Sequence, residues 1–101
     1  MPPQILSVRI AGWSTGRQLI IDSNTVSFEV AGPCRSTCYA CNDRMAHVDD
    51  QLAKAGDSVK YRWTSRNIRE ACYVVLEDTG WKPDEVLPRL SNLLNLQISQ
   101  R

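Results

Sequence analysis

The stretch "TVSFEVAGPCRSTCYACNDRMAHVDDQLAKAGD", residues 25–57, changes its apolar rhythm halfway. At first it alternates, with Val26, Phe28 and Val30 on one side and Ser27 and Glu29 on the other, which is the period of a strand. From Met45 on, the apolar positions Met45, Val48, Leu52 and Ala55 recur every three or four residues, which marks one face of a helix. Gly56 is a natural stop for that helix. Between the two rhythms lie the turn Gly32-Pro33 and three cysteines, Cys34, Cys38 and Cys41. A strand that enters a cysteine loop and leaves as a helix calls for a mixed fold.

Working outward, residues 5–12 and 18–22 read as strands separated by the turn residues "STGR", and "SN" at 23–24 leads into the third strand. The first third is then an antiparallel meander. Beyond the helix, "SVKYRWT" at 58–64 alternates Val59, Tyr61 and Trp63 against Lys60 and Arg62, a fourth strand. Thr64 or Ser65 can cap a helix from Arg66, with Ile68, Ala71, Cys72 and Val75 as its apolar face and Gly80 as its end. A last helix is expected from Pro83, with Asp84 and Glu85 in its first turn and a stripe of Leu87, Leu90, Leu94 and Ile98. Pro88 would start or kink it. The expected fold is α+β: a small antiparallel sheet of about four strands, two or three helices on one face and a zinc-binding loop, with residues 1–101 as a single domain.

Composition narrows the partners. The chain has 101 residues, 43% hydrophobic, and a net charge of +1, so no global field draws it to polyanions or membranes. No apolar run reaches the roughly 20 residues of a membrane span. The start "MPPQILSVRIAGW" lacks the basic head and long apolar stretch of a signal peptide. A cytoplasmic or other intracellular setting is therefore expected, where clustered cysteines are metal ligands or reactive thiols before they are disulfides.

The cysteines are spaced Cys34-x3-Cys38-x2-Cys41, and the chain's one histidine, His47, follows six residues later. Structural zinc takes four thiolate or imidazole ligands, and gaps of two or three residues let one loop wrap an ion. Asn42 or Asp43 can cap the helix that leaves the loop. His47 is the first candidate for the fourth ligand. It falls on the polar side of its helix, roughly 100° or more from Cys41, Met45 and Val48, so Cys72 is the alternative. Disulfides or a redox-active thiol pair, and thiols that only fill space, are the competing readings. The loop also resembles the cluster-binding loop of radical S-adenosylmethionine enzymes. That family places an aromatic just before the third cysteine, where this chain has Ala40, and needs a far larger half-barrel than 101 residues supply.

The second feature is "KYRWTSRNIR", residues 60–69. It gathers Lys60, Arg62, Arg66 and Arg69 between acidic flanks, and Tyr61 and Trp63 could stack on bases. Nine of the twelve basic residues are arginine, whose planar fork suits phosphate. The alternative is a solvated basic face over a core containing Tyr61 and Trp63. Neither a glycine-rich phosphate loop nor a nucleophile elbow is present, so no enzyme activity is expected.

In size and in its one cysteine cluster the chain resembles the cysteine-rich silencing suppressors of small plant RNA viruses and phage-encoded regulators. The expectation is a zinc-stabilised regulatory module binding nucleic acid, RNA before DNA, through Arg35, Arg44, Lys60, Arg62, Arg66 and Arg69. Two alternatives stand beside it. One is a protein-interaction module, an inhibitor or adaptor, dimeric through the leucine-rich tail. The other is a redox switch using Cys38 and Cys41.

Overall fold

A computed structural model describes residues 2–101. The meander forms from β1 (Gln4–Ile10), β2 (Arg17–Asp22) and β3 (Thr25–Ala31), and the helix after the cysteine loop is α1 (Tyr39–Ala55). Next come β4 (Lys60–Trp63), β5 (Cys72–Glu77), α2 (Val86–Leu94) and β6 (Ile98–Gln100). One six-stranded sheet runs β4-β5-β3-β2-β1-β6, with every neighbouring pair antiparallel. The α+β class and the antiparallel sheet are as the sequence suggests, with six strands and two helices in place of about four and two or three.

The register explains the core. Leu6 faces Leu19, Leu19 faces Phe28, Phe28 faces Val74, and Val74 faces Trp63, so one side of the sheet carries an apolar row across five strands. Cys41, Met45, Val48 and Leu52 of α1 and Val86, Leu90 and Leu94 of α2 are buried in the same cluster. The opposite side carries Ser7, Gln18 and Glu29, which alternation sends outward.

Two elements differ from expectation. Residues 66–80 are not a helix. They form a loop followed by β5, whose Cys72, Val74, Val75 and Leu76 are all buried. A strand in the interior of the sheet is apolar on both sides, and its continuous run mimics a helical stripe. Ile98 likewise does not extend α2. Asn95 adopts a left-handed conformation (φ 52°) that ends the helix, and β6 then pairs with β1. Pro88 is the third residue of α2, in the first turn, where its missing N–H breaks no intrahelical bond.

The leucine-rich tail is used internally. Leu90 and Leu94 are buried, and Leu87, Leu93 and Leu96 pack half-buried against the same core. Among the described residues, no helix is long and apolar enough to cross a membrane.

Candidate metal centre

The cysteine loop is seated between β3 and the loop that precedes β5. Gly32 makes the seat possible. Its φ is +75°, and a Cβ there would lie 2.1 Å from the Glu70 carbonyl oxygen and 2.7 Å from that of Ile68. Only glycine allows so close an approach. One residue beyond Pro33, the Cys34 N–H donates to the Ile68 carbonyl at 2.7 Å, locking the two loops together.

The loop then closes on itself. The Cys38 N–H donates to the Arg35 carbonyl at 2.9 Å, and Cys38 becomes the cap residue of α1. Neither Asn42 nor Asp43 caps the helix. The Asn42 side chain instead donates to the carbonyls of Cys38 (2.8 Å) and Ser36 (3.2 Å), bracing the loop from inside the first turn.

This frame brings the sulfurs of Cys34, Cys38 and Cys41 within 4.8 Å of one another, with Cys41 buried and the other two half-buried. One ion with metal–sulfur bonds of about 2.3 Å and tetrahedral angles sets its sulfurs about 3.8 Å apart. The three cysteines can therefore hold a metal ion after a small inward movement. All four cysteines of the chain are free thiols.

The electrostatics suit ligation. The Cys38 thiol is lowered to about 7, first because its sulfur accepts the Cys41 backbone N–H and then because the thiols of Cys34 and Cys41 donate to it. The Cys34 thiol is pushed up, chiefly by donating to Cys38, which favours its protonated form. A thiolate at the helix N-terminus is the form that binds a metal.

Neither candidate for the fourth ligand joins the group. His47 faces α2, where its Nε2–H donates to the Leu94 carbonyl at 2.7 Å. Its position off the buried face of α1 points it at the neighbouring helix, away from the loop. Cys72 is fully buried in β5, its Sγ 3.5 Å from the Glu70 carbonyl oxygen, and burial raises its pKa. It fills the core as a small apolar side chain would. Among the described residues, no further histidine, cysteine or carboxylate completes the set.

The six basic residues singled out by sequence divide into two groups. Lys60 pairs with Glu77 and Asp78, Arg62 pairs with Glu77, and Arg66 pairs with Asp49. Trp63 also donates to Asp49, so its indole is a structural contact. Arg35, Arg44 and Arg69, by contrast, have no carboxylate within ion-pair distance among the described residues. Arg35 belongs to the cysteine loop and Arg69 to the loop bonded to it through Cys34 and Ile68, so these two share one end of the molecule.

Two contributors escaped the sequence reading. Tyr39, next to Cys38, is 83% exposed, an unusual fate for a large aromatic. A cleft of about 350 Å³ opens beside the sulfurs and is lined by Arg17 and Arg44 as well as Cys34, Cys38 and Cys41. Arg17 sits at a buried strand position and had no signal of its own. Another cleft, of about 590 Å³, lies elsewhere, between β1 and the segment entering β6, and holds no cluster of metal-ligating groups. No family model, no curated protein and no solved structure matches the chain.

Proposed function

We propose that this chain is a small zinc-stapled regulatory module that binds nucleic acid, RNA in preference to DNA. The observation that carries the metal half is the three-sulfur cluster on a doubly braced loop. Thiolate ligands are soft and favour zinc among the common intracellular divalent ions. In this reading Cys34, Cys38 and Cys41 hold the ion, and a water or a bound partner supplies the fourth donor.

The nucleic-acid half rests on the same end of the molecule. Arg35, Arg44 and Arg69 are cations without carboxylate partners around the loop, and Tyr39 offers an exposed ring at the start of α1, next to Cys38. Arginine forks grip phosphates and an exposed aromatic stacks a base, which is the pairing that single-stranded nucleic acid needs. Lys60, Arg62 and Arg66 drop out of this surface, because their charge is already matched.

The test combines two measurements on protein purified without added metal. Native mass spectrometry should find one zinc per chain, lost in Cys38→Ser. Fluorescence anisotropy with a labelled single-stranded RNA should show binding that weakens steeply with salt, as counterion release requires. Arg35→Glu with Arg69→Glu should abolish it, while Lys60→Glu should not. Absence of binding at low salt to every single- and double-stranded RNA and DNA probe would end the nucleic-acid reading.

A further inference from the structure

The cleft beside the sulfurs contains a buried cation that makes no direct ion pair. Arg17 is 9% exposed, yet its hydrogen-bond partners are neutral: Nη1 donates to the carbonyls of Thr15 and Gly16, each at 3.0 Å, and to the Thr15 hydroxyl. Its Nε is buried and has no partner at all. A second guanidinium, that of Arg44, stands over the same indole: the Arg17 and Arg44 Cζ atoms lie 5.3 and 5.1 Å from the centre of the Trp13 ring. Burial lowers the Arg17 pKa, and repulsion from Arg44 lowers it further.

Such an arrangement is costly by itself. A buried charge needs a paired opposite charge, and two cations around one ring repel each other. The indole face offsets part of this through cation–π attraction. Glu29 also lines the cleft and attracts Arg17 at longer range, while one of its oxygens accepts the Gln18 N–H at 2.9 Å; it offsets one of the two cations and leaves the other unmatched. The β1–β2 loop adds Ser14, Thr15 and Gly16 to the rim. Two arginine forks and two hydroxyl residues at the wall of a cleft form a recognition set for a tetrahedral oxyanion.

We infer that this cleft is a phosphate-binding site, in which Arg17 and Arg44 grip the phosphate beside the metal loop. The inference deepens the proposed function, since a backbone phosphate of the bound nucleic acid is one source of the group and a free phosphate is the other.

The experiment is an NMR titration of the full chain with inorganic phosphate, read at the Trp13 indole N–H, the arginine Nε–H signals and the amides of residues 12–17. The expected result is a saturable shift confined to these signals and those of the cysteine loop. Arg44→Gln should weaken the affinity at least fivefold with an unchanged melting temperature, and Lys60→Gln should leave it unchanged. A short single-stranded RNA that displaces phosphate from the same signals assigns the group to a nucleic-acid backbone. Saturable phosphate binding that RNA does not displace assigns it to a free phosphate ligand. No shift at these signals, or an Arg44→Gln variant that binds as the parent does, overturns the site. Zinc content is read on the same samples by native mass spectrometry, so loss of the metal reading and loss of the phosphate site are seen separately.

Discussion

Arg66 closes a two-pronged ion pair on Asp49, Nη1 to Oδ1 at 3.0 Å and Nη2 to Oδ2 at 2.8 Å. The same carboxylate accepts the Trp63 indole N–H at 3.0 Å, and the Arg66 guanidinium lies over the Trp63 ring. Asp49 thereby ties α1 to the end of β4 and the loop beyond it. The arginine that looked free in sequence is the clasp of that joint.

Asp49→Asn should therefore destabilise the fold. Charge-assisted hydrogen bonds contribute about 1.5–3 kcal/mol, and the partial exposure of both groups brings the expected loss to about 1–2 kcal/mol. The sign with pH follows from the carboxyl pKa, which Arg66 holds below its usual range. The contribution is fully present above the unfolded carboxyl value of about 3.9 and is lost as pH falls through the lower folded value. Urea unfolding at a series of pH values should show the parent-minus-variant gap at its widest near neutrality and shrinking in acid. A gap that does not depend on pH would refute the ionic account of this joint.

Much of this fold was readable because its first half is local. Val26, Phe28 and Val30 alternate in a hairpin meander, and Met45, Val48 and Leu52 keep helical time, so β3 and α1 stand where the pattern put them. Residues 72–77 misled because Val75 is buried although it points away from Val74 and Leu76, and a segment buried on both sides has no period to read. The cysteine cluster was legible from spacing alone. The charge map was not: Arg62 meets Glu77 and Arg66 meets Asp49 across 15 and 17 residues, pairings that only the β4–β5 hairpin and the placement of α1 create. Arg17, Trp13 and Arg44 come from two segments of the chain that share no local pattern.

His47→Ala separates the metal loop from helix packing. The imidazole joins α1 to the carbonyl of Leu94, the last residue of α2. Its loss removes one hydrogen bond and leaves a half-buried carbonyl unpaired, a cost of about 1–2 kcal/mol. Metal content should be unchanged, because the histidine lies outside the three-sulfur group. Thermal unfolding and native mass spectrometry on one preparation check both halves. Loss of zinc from this variant would restore His47 as a ligand.

Gly32→Ala should be among the most damaging single substitutions outside the core. The added methyl meets two backbone oxygens, those of Glu70 and Ile68, and neither can swing aside as a side-chain end would. The positive φ adds strain of its own, and the total cost is about 2 kcal/mol or more. Because the contact sits where the cysteine loop meets the loop before β5, metal affinity should fall together with the melting temperature. Gly80→Ala has the same sign of φ but no neighbour within 4 Å, so it isolates the strain term. Equal melting temperatures for the two variants would mean that the close approach contributes nothing.

Thiol reactivity discriminates the members of the cysteine set in metal-free protein. The thiolate is the nucleophile, so alkylation by iodoacetamide follows each thiol's pKa and exposure. Cys38 is half-buried with a pKa of about 7, and its labelling rate should rise through a midpoint near that pH. An ordinary cysteine has its midpoint near 8.5. Cys34 should label later, because donation to Cys38 raises its pKa, and Cys72 should stay unlabelled in the folded chain, being fully buried and shifted upward by that burial. Zinc added in slight excess should protect Cys34, Cys38 and Cys41 together, since each would then be a bound thiolate with its lone pair engaged. Peptide mass mapping after timed labelling gives all four rates from one experiment. Labelling of Cys72 as fast as Cys38, or zinc protection of Cys72 in place of Cys34, would show that the ion is held by a different set of sulfurs.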